Sequence, residues 1–222
     1  MSNTASYTGQ VTVGGPADRR ETAGLTITKV ATPPFDNNCY LLRCTATGAT
    51  LLIDAAGDAP LLLSLVGDGQ LVGIAETHNH WDHVQALAEV TKASGAPVLV
   101  HPDDAAGLPV PADQLLRDGD TISVGEATLR VIHLVGHTPG SIALLYEGDA
   151  ERPHLFSGDS LFPGGAGNTE KDPARFTRLL DDLETKVFGP LADHTWVYPG
   201  HGSDTTLGAE RPCLPEWRAR GW

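Results

Sequence analysis

The sequence predicts a layered α/β sandwich, and three features support this fold class. Predicted strands dominate, and a predicted helix follows at about every third element. Several neighbouring strands are joined by turns too short for a crossover, which argues against an all-parallel, doubly wound sheet. The chain has 222 residues, of which 41% are hydrophobic, and this is enough to bury the core of one large domain.

The first 23 residues differ from the rest of the chain. They are rich in Ser, Thr, Gly and charged residues, so residues 1–23 are predicted to form an N-terminal arm, either extended or paired as a loose edge strand. No later shift in composition marks a second boundary, and residues 24–222 are therefore predicted to be a single domain.

The first half of that domain reads as strands separated by single helices. Alternating or continuous apolar residues predict strands at 25–30, 38–44, 50–54, 71–76 and 97–101. Asp58 is placed to cap a helix that ends near Val66.

A second helix is predicted directly after residue 83. Lys92 lies in its last turn, and Gly95 is placed for a C-terminal cap. Its N-terminus is expected at Asp82 and His83. One face of this helix is expected to consist of Val84, Leu87, Ala88 and Thr91.

The second half is richer in strands. Residues 102–113 contain many Pro and Asp residues and are predicted to be irregular, and residues 118–120 (Asp-Gly-Asp) to form a hairpin turn between two short strands. Asp172 and Pro173 predict a helix start, and this helix runs to about Phe188. Further strands are predicted at 127–134, 141–146, 154–157 and 195–198.

The most informative stretch is the run from Thr77 to His83, which reads T-H-x-H-x-D-H and contains four strong metal ligands. In extended backbone, His78 and His80 point to the same side and can hold one ion. Asp82 and His83 are adjacent, so their side chains diverge and are free to serve a second ion.

Three later segments each place a metal-ligand side chain beside glycine just after a predicted strand. Glycine lets the backbone turn sharply there and bring the ligand to the edge of the sheet. The segments are Gly136-His137-Thr138-Pro139-Gly140, Gly158-Asp159-Ser160-Leu161-Phe162 and Pro199-Gly200-His201-Gly202. Together with the first cluster they supply seven candidate ligands.

With these four motifs, in this order, the sequence resembles metallo-β-lactamase-fold hydrolases and is most similar to the glyoxalase II-like branch. The resemblance extends from about residue 25 to residue 202. It implies a four-layer αβ/βα sandwich with two divalent metal ions at one edge. Zinc is the leading candidate for the metal, and iron and manganese are also compatible with mixed His and carboxylate ligands.

The resemblance also implies a role for each candidate ligand. His78, His80 and His137 would hold the first ion, and Asp82, His83 and His201 the second. Asp159 would bridge the two ions. The two carboxylates, Asp82 and Asp159, are the candidate catalytic residues.

The function implied is hydrolysis of a small thioester or ester by a hydroxide held between the two ions. A thiolate leaves readily because a thiol has a pKa near 8.5, so no proton donor is required. Only about 20 residues follow Gly202, which is too few for the helical glutathione-binding domain of glyoxalase II, so the thiol carrier stays open.

Two other enzyme activities and a non-enzymatic role stay open on the same motifs. Members of this fold that are mononuclear iron persulfide dioxygenases use positions matching His78, His137 and Asp159. A lactonase fits all seven ligands but needs a proton donor for its alkoxide, and no tyrosine is a convincing donor, because Tyr40, Tyr146 and Tyr198 all lie in predicted strands. A closed structural metal site is disfavoured because the ligand set leaves coordination positions open.

Charge and composition exclude several partners. The formal net charge is −13 and no basic stripe is visible, which argues against a nucleic acid or a membrane surface as partner. Three cysteines without C-x-x-C spacing, no apparent signal peptide and no apolar run of membrane-spanning length predict a cytoplasmic protein. The expected partner is a small acyl-thiol or ester substrate.

Overall fold

Two mixed β-sheets face each other in the computed structural model, which describes residues 7–149 and 152–221. The strands of the first sheet are β1 (Asp18–Glu21), β2 (Leu25–Thr32), β3 (Asn37–Cys44), β4 (Thr50–Ile53), β5 (Leu71–Ala75), β6 (Val98–Val100) and β7 (Gln114–Leu115). The later strands are β8 (Thr121–Val124), β9 (Ala127–His133), β10 (Ile142–Tyr146), β11 (His154–Gly158), β12 (Leu161–Phe162), β13 (Gly165–Ala166), β14 (Trp196–Pro199) and β15 (Thr205–Thr206).

The two sheets differ in how their strands are ordered. The first sheet follows the chain from β1 to β7, with antiparallel pairs up to β4 and parallel pairs from there on. The second has the order β15-β14-β11-β10-β9-β8, with β11 and β14 parallel and its other pairs antiparallel. Strands β12 and β13 form a separate ribbon. This mixture of short turns and crossovers confirms the predicted sandwich.

The core between the sheets arises from strand alternation. In β3, Tyr40 and Leu42 pack in one cluster with Leu129 and Phe156 of the second sheet. Leu41, between them, packs on the other face of its sheet. Successive side chains of a strand point to opposite faces, so a sheet that is covered on both sides requires a nearly continuous apolar run.

Helices cover the outer face of each sheet. They are α1 (Ala59–Val66), α2 (Leu87–Ser94), α3 (Pro102–Ala105), α4 (Pro173–Asp182), α5 (Leu207–Glu210) and α6 (Leu214–Arg220). Side chains from α1 and α2 pack on the first sheet, and those from α4 and α6 pack on the second. The layers are therefore helix, sheet, sheet and helix, as the αβ/βα prediction requires. No helix in the described part of the chain combines the length and apolar character needed to cross a bilayer.

Local signals located two helix starts correctly. Asp58 caps α1 by accepting a hydrogen bond from the backbone N–H of Leu61. Asp172 caps α4 in the same way, and Pro173 occupies the first turn. The helical segment extends to Phe188 as predicted, but its last part, Leu183–Phe188, is a π-helix.

The predicted start of the second helix was wrong. Asp82 and His83 lie in a series of turns, and α2 begins only at Leu87. The N–H of Ala86 donates to the carbonyl of Ala55 instead of to the preceding turn, so a contact with the β4–α1 loop interrupts the helix. Ala88, predicted on the buried face, is exposed, and Val90 is buried in its place.

Two predictions for residues 102–120 also need correction. The irregular stretch contains the short helix α3. Residues 118–120 do not form a hairpin, because β7 belongs to the first sheet and β8 to the second. The N–H of Gly119 donates to the carbonyl of Val131, and the N–H of Val131 donates to the carbonyl of Asp120, so the turn pairs with β9 and connects the two sheets.

The N-terminal segment contributes an edge strand. Residues 1–6 of the predicted arm lie outside the described residues, and β1 pairs antiparallel with β2. In β2, the ammonium of Lys29 is fully buried and donates to the carbonyls of Gly9 and Gly202 and to Asp204 Oδ1 at 2.6–2.8 Å. This contact joins the segment before β1 to the loop that follows β14.

Candidate metal centre

The seven candidate ligands come together at one edge of the sandwich. His78 and its neighbours follow β5 of the first sheet. His137, Asp159 and His201 follow β9, β11 and β14 of the second sheet. These three strands run in the same direction, so their carboxyl ends deliver the three ligands to the same edge.

The first ligand group consists of His78, His80 and His137. The Nε2 atoms of His78 and His137 lie 3.3 Å apart. The His80 ring centroid is 4.8 Å from that of His78 and 4.5 Å from that of His137. One nitrogen from each residue lies within 4.8 Å of the others, which is close enough for the three to share one ion.

The second group consists of Asp82, His83 and His201. The Nε2 atoms of His83 and His201 lie 3.2 Å apart, and Asp82 Oδ2 is 3.4 Å from His201 Nε2. These two groups are the same as the two ligand sets predicted from the sequence, one for each ion. That either group binds an ion stays a prediction.

Asp159 lies between the groups. Its Oδ1 is 3.5 Å from His83 Nε2, and its Oδ2 is 3.6 Å from the Nε2 atoms of both His137 and His201. Oδ1 is buried without a hydrogen-bond partner in the described part of the chain. Burial alone would raise the pKa of Asp159, but the surrounding imidazoles outweigh it and lower the pKa. The carboxylate is therefore ionised.

Hydrogen bonds to acceptors fix the histidine tautomers. The Nδ1–H groups of His83, His137 and His201 donate to Asp54 Oδ2, the carbonyl of Asn168 and the carbonyl of Phe35, at 2.9, 2.7 and 3.1 Å. Carbonyl and carboxylate oxygens only accept, so Nδ1 carries a proton in each ring and Nε2 is the nitrogen that faces the cluster. Burial alone would lower the pKa of His83, but the carboxylates of Asp159 and Asp54 outweigh it and raise that pKa well above its ordinary value, so they favour positive charge at this ring.

In His78, too, Nδ1 carries the hydrogen and Nε2 faces the cluster, because Nδ1 is linked to Asp54 through the hydroxyl of Thr77. The hydroxyl of Thr77 donates its hydrogen to Asp54 Oδ2 at 2.8 Å and so acts as the acceptor for His78 Nδ1 at 3.0 Å. Burial and the neighbouring histidines lower the pKa of His78 well below its ordinary value, and burial also lowers that of His137. Both are neutral, as metal ligands must be.

The surroundings fit two cations. Imidazole nitrogens and a carboxylate oxygen that has no hydrogen-bond donor among the described residues converge at 3.2–3.6 Å, and the carboxylates of Asp159 and Asp54 favour positive charge at this point. Gly200 keeps the space open, because a Cβ there would collide with Asp159 Oδ1 and lie 2.8 Å from His83 Cε1. The donor set of imidazoles and carboxylates suits zinc, iron or manganese.

Two residues that support the ligands were missed by sequence reasoning. Asp54 was predicted only as the last residue of a strand, yet it accepts hydrogen bonds from the backbone and hydroxyl of Thr77 and from His83. The sequence feature that could have revealed its role is the position of this aspartate directly after the apolar run Leu-Leu-Ile. Asn37 is fully buried, and its Nδ2 lies 3.0 Å from Asp82 Oδ2 and 3.3 Å from His201 Nε2. No local pattern distinguishes it from other strand residues.

We expect Asp54→Asn to weaken metal binding by the group containing His83 by about 10- to 100-fold. The substitution removes the carboxylate charge that attracts His83 Nδ1–H. It also places an amide N–H where the backbone and hydroxyl of Thr77 and the ring of His83 all need an acceptor. The measurement is a metal titration of chelator-treated protein. Asp58→Asn, at the exposed cap of α1, is the matched control, since asparagine also caps helices. Equal metal affinity in the two variants would refute the role of Asp54.

Comparison with known proteins places these residues in a family context. The profile of the Metallo-beta-lactamase superfamily matches residues 32–201, a stretch that contains all seven residues of the candidate centre. A hydroxyacylglutathione hydrolase from Fuscovulum blasticum is 39% identical over 168 residues, which are 75% of this chain and 62% of that protein. The chain thus spans less than two thirds of the length of that relative.

Solved structures show the same architecture. The BLEG-1 B3 metallo-beta-lactamase has a TM-score of 0.76 at 30% identity, covering 86% of this chain and 99% of that one. ETHE1 from Myxococcus xanthus has a TM-score of 0.76 at 27% identity, covering 87% and 84%. TTHA1623 in a di-iron-bound form has a TM-score of 0.67 at 33% identity, covering 82% and 96%.

Proposed function

Because the chain belongs to the metallo-beta-lactamase superfamily, we propose that it is a hydrolase that uses two divalent metal ions to cleave a small thioester or ester. The position of Asp159 carries this proposal. Its Oδ1 lies 3.5 Å from His83 Nε2 of the second group, and its Oδ2 lies 3.6 Å from the Nε2 atoms of both His137 in the first group and His201 in the second. A single carboxylate between two half-sites is the arrangement expected where two ions share a ligand.

In this proposal the chain supplies fixed donors. His78, His80 and His137 would hold one ion, and Asp82, His83 and His201 the other, with Asp159 shared. Bound there, the ions would provide a nucleophile at neutral pH and polarise the substrate carbonyl. Zinc is our first choice, although the donor set alone does not separate it from iron or manganese.

The surrounding residues keep those donors in place. Asp54 orients His83, and the carbonyl of Asn168 orients His137, so neither ring needs to reorganise during the reaction. Asn37 Nδ2 donates to Asp82 Oδ2. The side chain of Asp82 is 20% exposed, so its carboxylate lies at the open side of the centre, where it can accept a proton from an attacking water.

The proposed substrate class is supported by the chemistry of the leaving group, because the described residues of the centre include no obvious proton donor for an alkoxide. The histidines of the centre would be engaged as metal ligands, and the buried Tyr40 gives its hydroxyl hydrogen to the carbonyl of Pro199. A thiolate leaving group needs no proton from the protein at neutral pH, whereas an alkoxide does. This favours a thioester over a lactone. The hydroxyacylglutathione hydrolase relatives are consistent with that choice.

A mononuclear iron persulfide dioxygenase is the second candidate. It is favoured by the close approach of His137 Nε2 to both His78 Nε2, at 3.3 Å, and Asp159 Oδ2, at 3.6 Å. Two histidines and one carboxylate form the facial ligand set of many non-haem iron oxygenases. In that case the Asp82, His83 and His201 group would not be needed for activity.

One experiment separates the two candidates. Wild type and His201→Ala are purified without added metal, and their metal content is measured by elemental analysis. Hydrolysis of a small hydroxyacyl thioester is followed by the release of free thiol. We expect about two ions per chain in wild type, falling toward one in the variant with loss of hydrolysis. His194→Ala, an exposed histidine outside the centre, is the matched control and should behave as wild type.

Other results would contradict the hydrolase. One iron per chain, unchanged in His201→Ala, together with oxygen uptake on addition of a persulfide, would establish the dioxygenase. A β-lactam belongs in the same substrate panel because of the similarity to a B3 metallo-beta-lactamase, and its cleavage in preference to every thioester would change the substrate class.

A further inference from the structure

Two exposed aromatic side chains lie in contact with each other beside the candidate centre. Phe35 is 52% exposed and Trp81 is 59% exposed. Their ring centroids are 5.3 Å apart and their planes meet at 89°, the edge-to-face geometry that aromatic pairs prefer. The other large hydrophobic residues that are exposed in the described parts of the chain, Val13 and Leu115, are aliphatic.

The pair is connected to both ligand groups. Trp81 lies between His80 of the first group and Asp82 of the second. Phe35 belongs to the β2–β3 loop, and its carbonyl accepts the hydrogen bond from His201 Nδ1–H at 3.1 Å. The segment that carries Trp81 thus supplies ligands of both groups, and the segment that carries Phe35 contacts the second group. They form what we call the aromatic lip, defined as Phe35 and Trp81.

Exposing two large aromatic surfaces to water is unfavourable unless a ligand covers them. Because its two residues adjoin ligands of the candidate centre in sequence or through a hydrogen bond, the lip is placed to contact one of the two groups flanking the scissile bond. Apolar surface of this kind recognises apolar or aromatic groups and offers little to a charged one.

Arg175 contacts the His137 loop, where a guanidinium could meet the charged part of a thiol carrier. Its guanidinium is already hydrogen bonded to the carbonyls of Gly136 and His137 and to the carboxylate of Glu170. Low-molecular-weight thiol carriers are polar, whereas acyl groups range from polar to strongly apolar. The lip therefore matches the acyl side of the bond better than the thiol side.

We propose that the aromatic lip binds the acyl group of the substrate, so that the protein prefers thioesters whose acyl group carries an apolar or aromatic side chain. This inference rests on the proposed function, because it assumes that the reacting carbonyl lies at the metals. It makes Phe35 and Trp81 determinants of specificity and gives them no part in the chemical step.

The test uses two substrate series with the metal-loaded protein. In one, the thiol is constant and the acyl group is acetyl or phenylacetyl. In the other, the acyl group is acetyl and the thiol is small and polar or benzylic. We expect wild type to have a higher kcat/KM for the phenylacetyl than for the acetyl thioester. In the double variant Phe35→Ala, Trp81→Ala, the ratio of these two values should fall about tenfold. The ratio across the thiol series should change by less than about twofold.

Leu115→Ala is the matched control. Leu115 is 48% exposed and lies in β7, two strands away from β5, so its removal should leave both ratios as in wild type. Metal content measured on every variant shows whether the centre is intact. A loss confined to the thiol series, or an unchanged acyl preference with both metals bound, would overturn the proposal.

A binding measurement tests whether the lip binds apolar acyl groups even if the protein hydrolyses no thioester. Phenylacetate and acetate, the products of the acyl series, are titrated calorimetrically into wild type and the double variant. Tighter binding of phenylacetate, lost in the variant, supports the lip even if no thioester is hydrolysed. Equal binding of the two acids to wild type, or a preference that survives the double substitution, would refute the lip irrespective of the reaction.

Discussion

Asparagine in place of Asp159 is expected to lower kcat/KM for thioester hydrolysis by about a thousandfold and to reduce metal content below two ions per chain. The buried Oδ1 of Asp159 has no hydrogen-bond partner among the described residues, and both carboxylate oxygens lie within 3.6 Å of imidazole nitrogens. A neutral amide removes the negative charge that Asp159 places between the two groups. It also directs N–H bonds at the imidazole nitrogens proposed to hold the ions.

The measurement is steady-state kinetics combined with elemental analysis on the same preparations. Asp68→Asn, in the exposed loop between α1 and β5, is the control because it removes the same charge away from the centre. It should retain the kcat/KM and the metal content of wild type. A bridging role would be refuted by an Asp159→Asn variant that keeps two ions and stays within about threefold of wild-type kcat/KM. Loss of one ion with retained activity would point to a mononuclear enzyme.

The fold class and the position of the candidate centre were predictable because both depend on local patterns. Apolar alternation located β2, and a continuous apolar run located β3, whose residues are buried on both faces of the sheet. The spacing of His78, His80, Asp82 and His83 constrains their geometry over a few residues. The structure accordingly brings these residues together with His137, Asp159 and His201.

The predictions that failed depend on contacts between residues distant in sequence. The start of α2 moved to Leu87 because Ala86 donates to Ala55, some 30 residues earlier. Asn37 contacts Asp82 and His201, which are 45 and 164 residues away. A single sequence carries no periodic or capping signal for such pairs, and their roles emerge only when the sheets assemble.

Substitution of the buried Lys29 by methionine is expected to lower the free energy of unfolding by about 3–5 kcal/mol. Its ammonium lies 2.6 Å from Asp204 Oδ1 and also donates to the carbonyls of Gly9 and Gly202. Burial lowers the pKa of Lys29 and raises that of Asp204, so desolvation opposes both charges. Methionine fills the space but leaves Asp204 without its counter-charge. Because Gly202 adjoins His201, metal binding should weaken as well.

Urea unfolding of the metal-free protein isolates the stability effect from metal binding. Asp204→Asn in the Lys29→Met background removes the unpaired charge, while Tyr7 and Trp196 still donate to this side chain. We therefore expect the double variant to recover most of the loss, since the cost comes from an uncompensated buried carboxylate more than from lost contacts. Lys92→Met, on the exposed side of α2, should change stability by less than about 0.5 kcal/mol. A Lys29→Met variant as stable as Lys92→Met would show that Asp204 is neutral in the folded protein and that the pair contributes no net charge interaction.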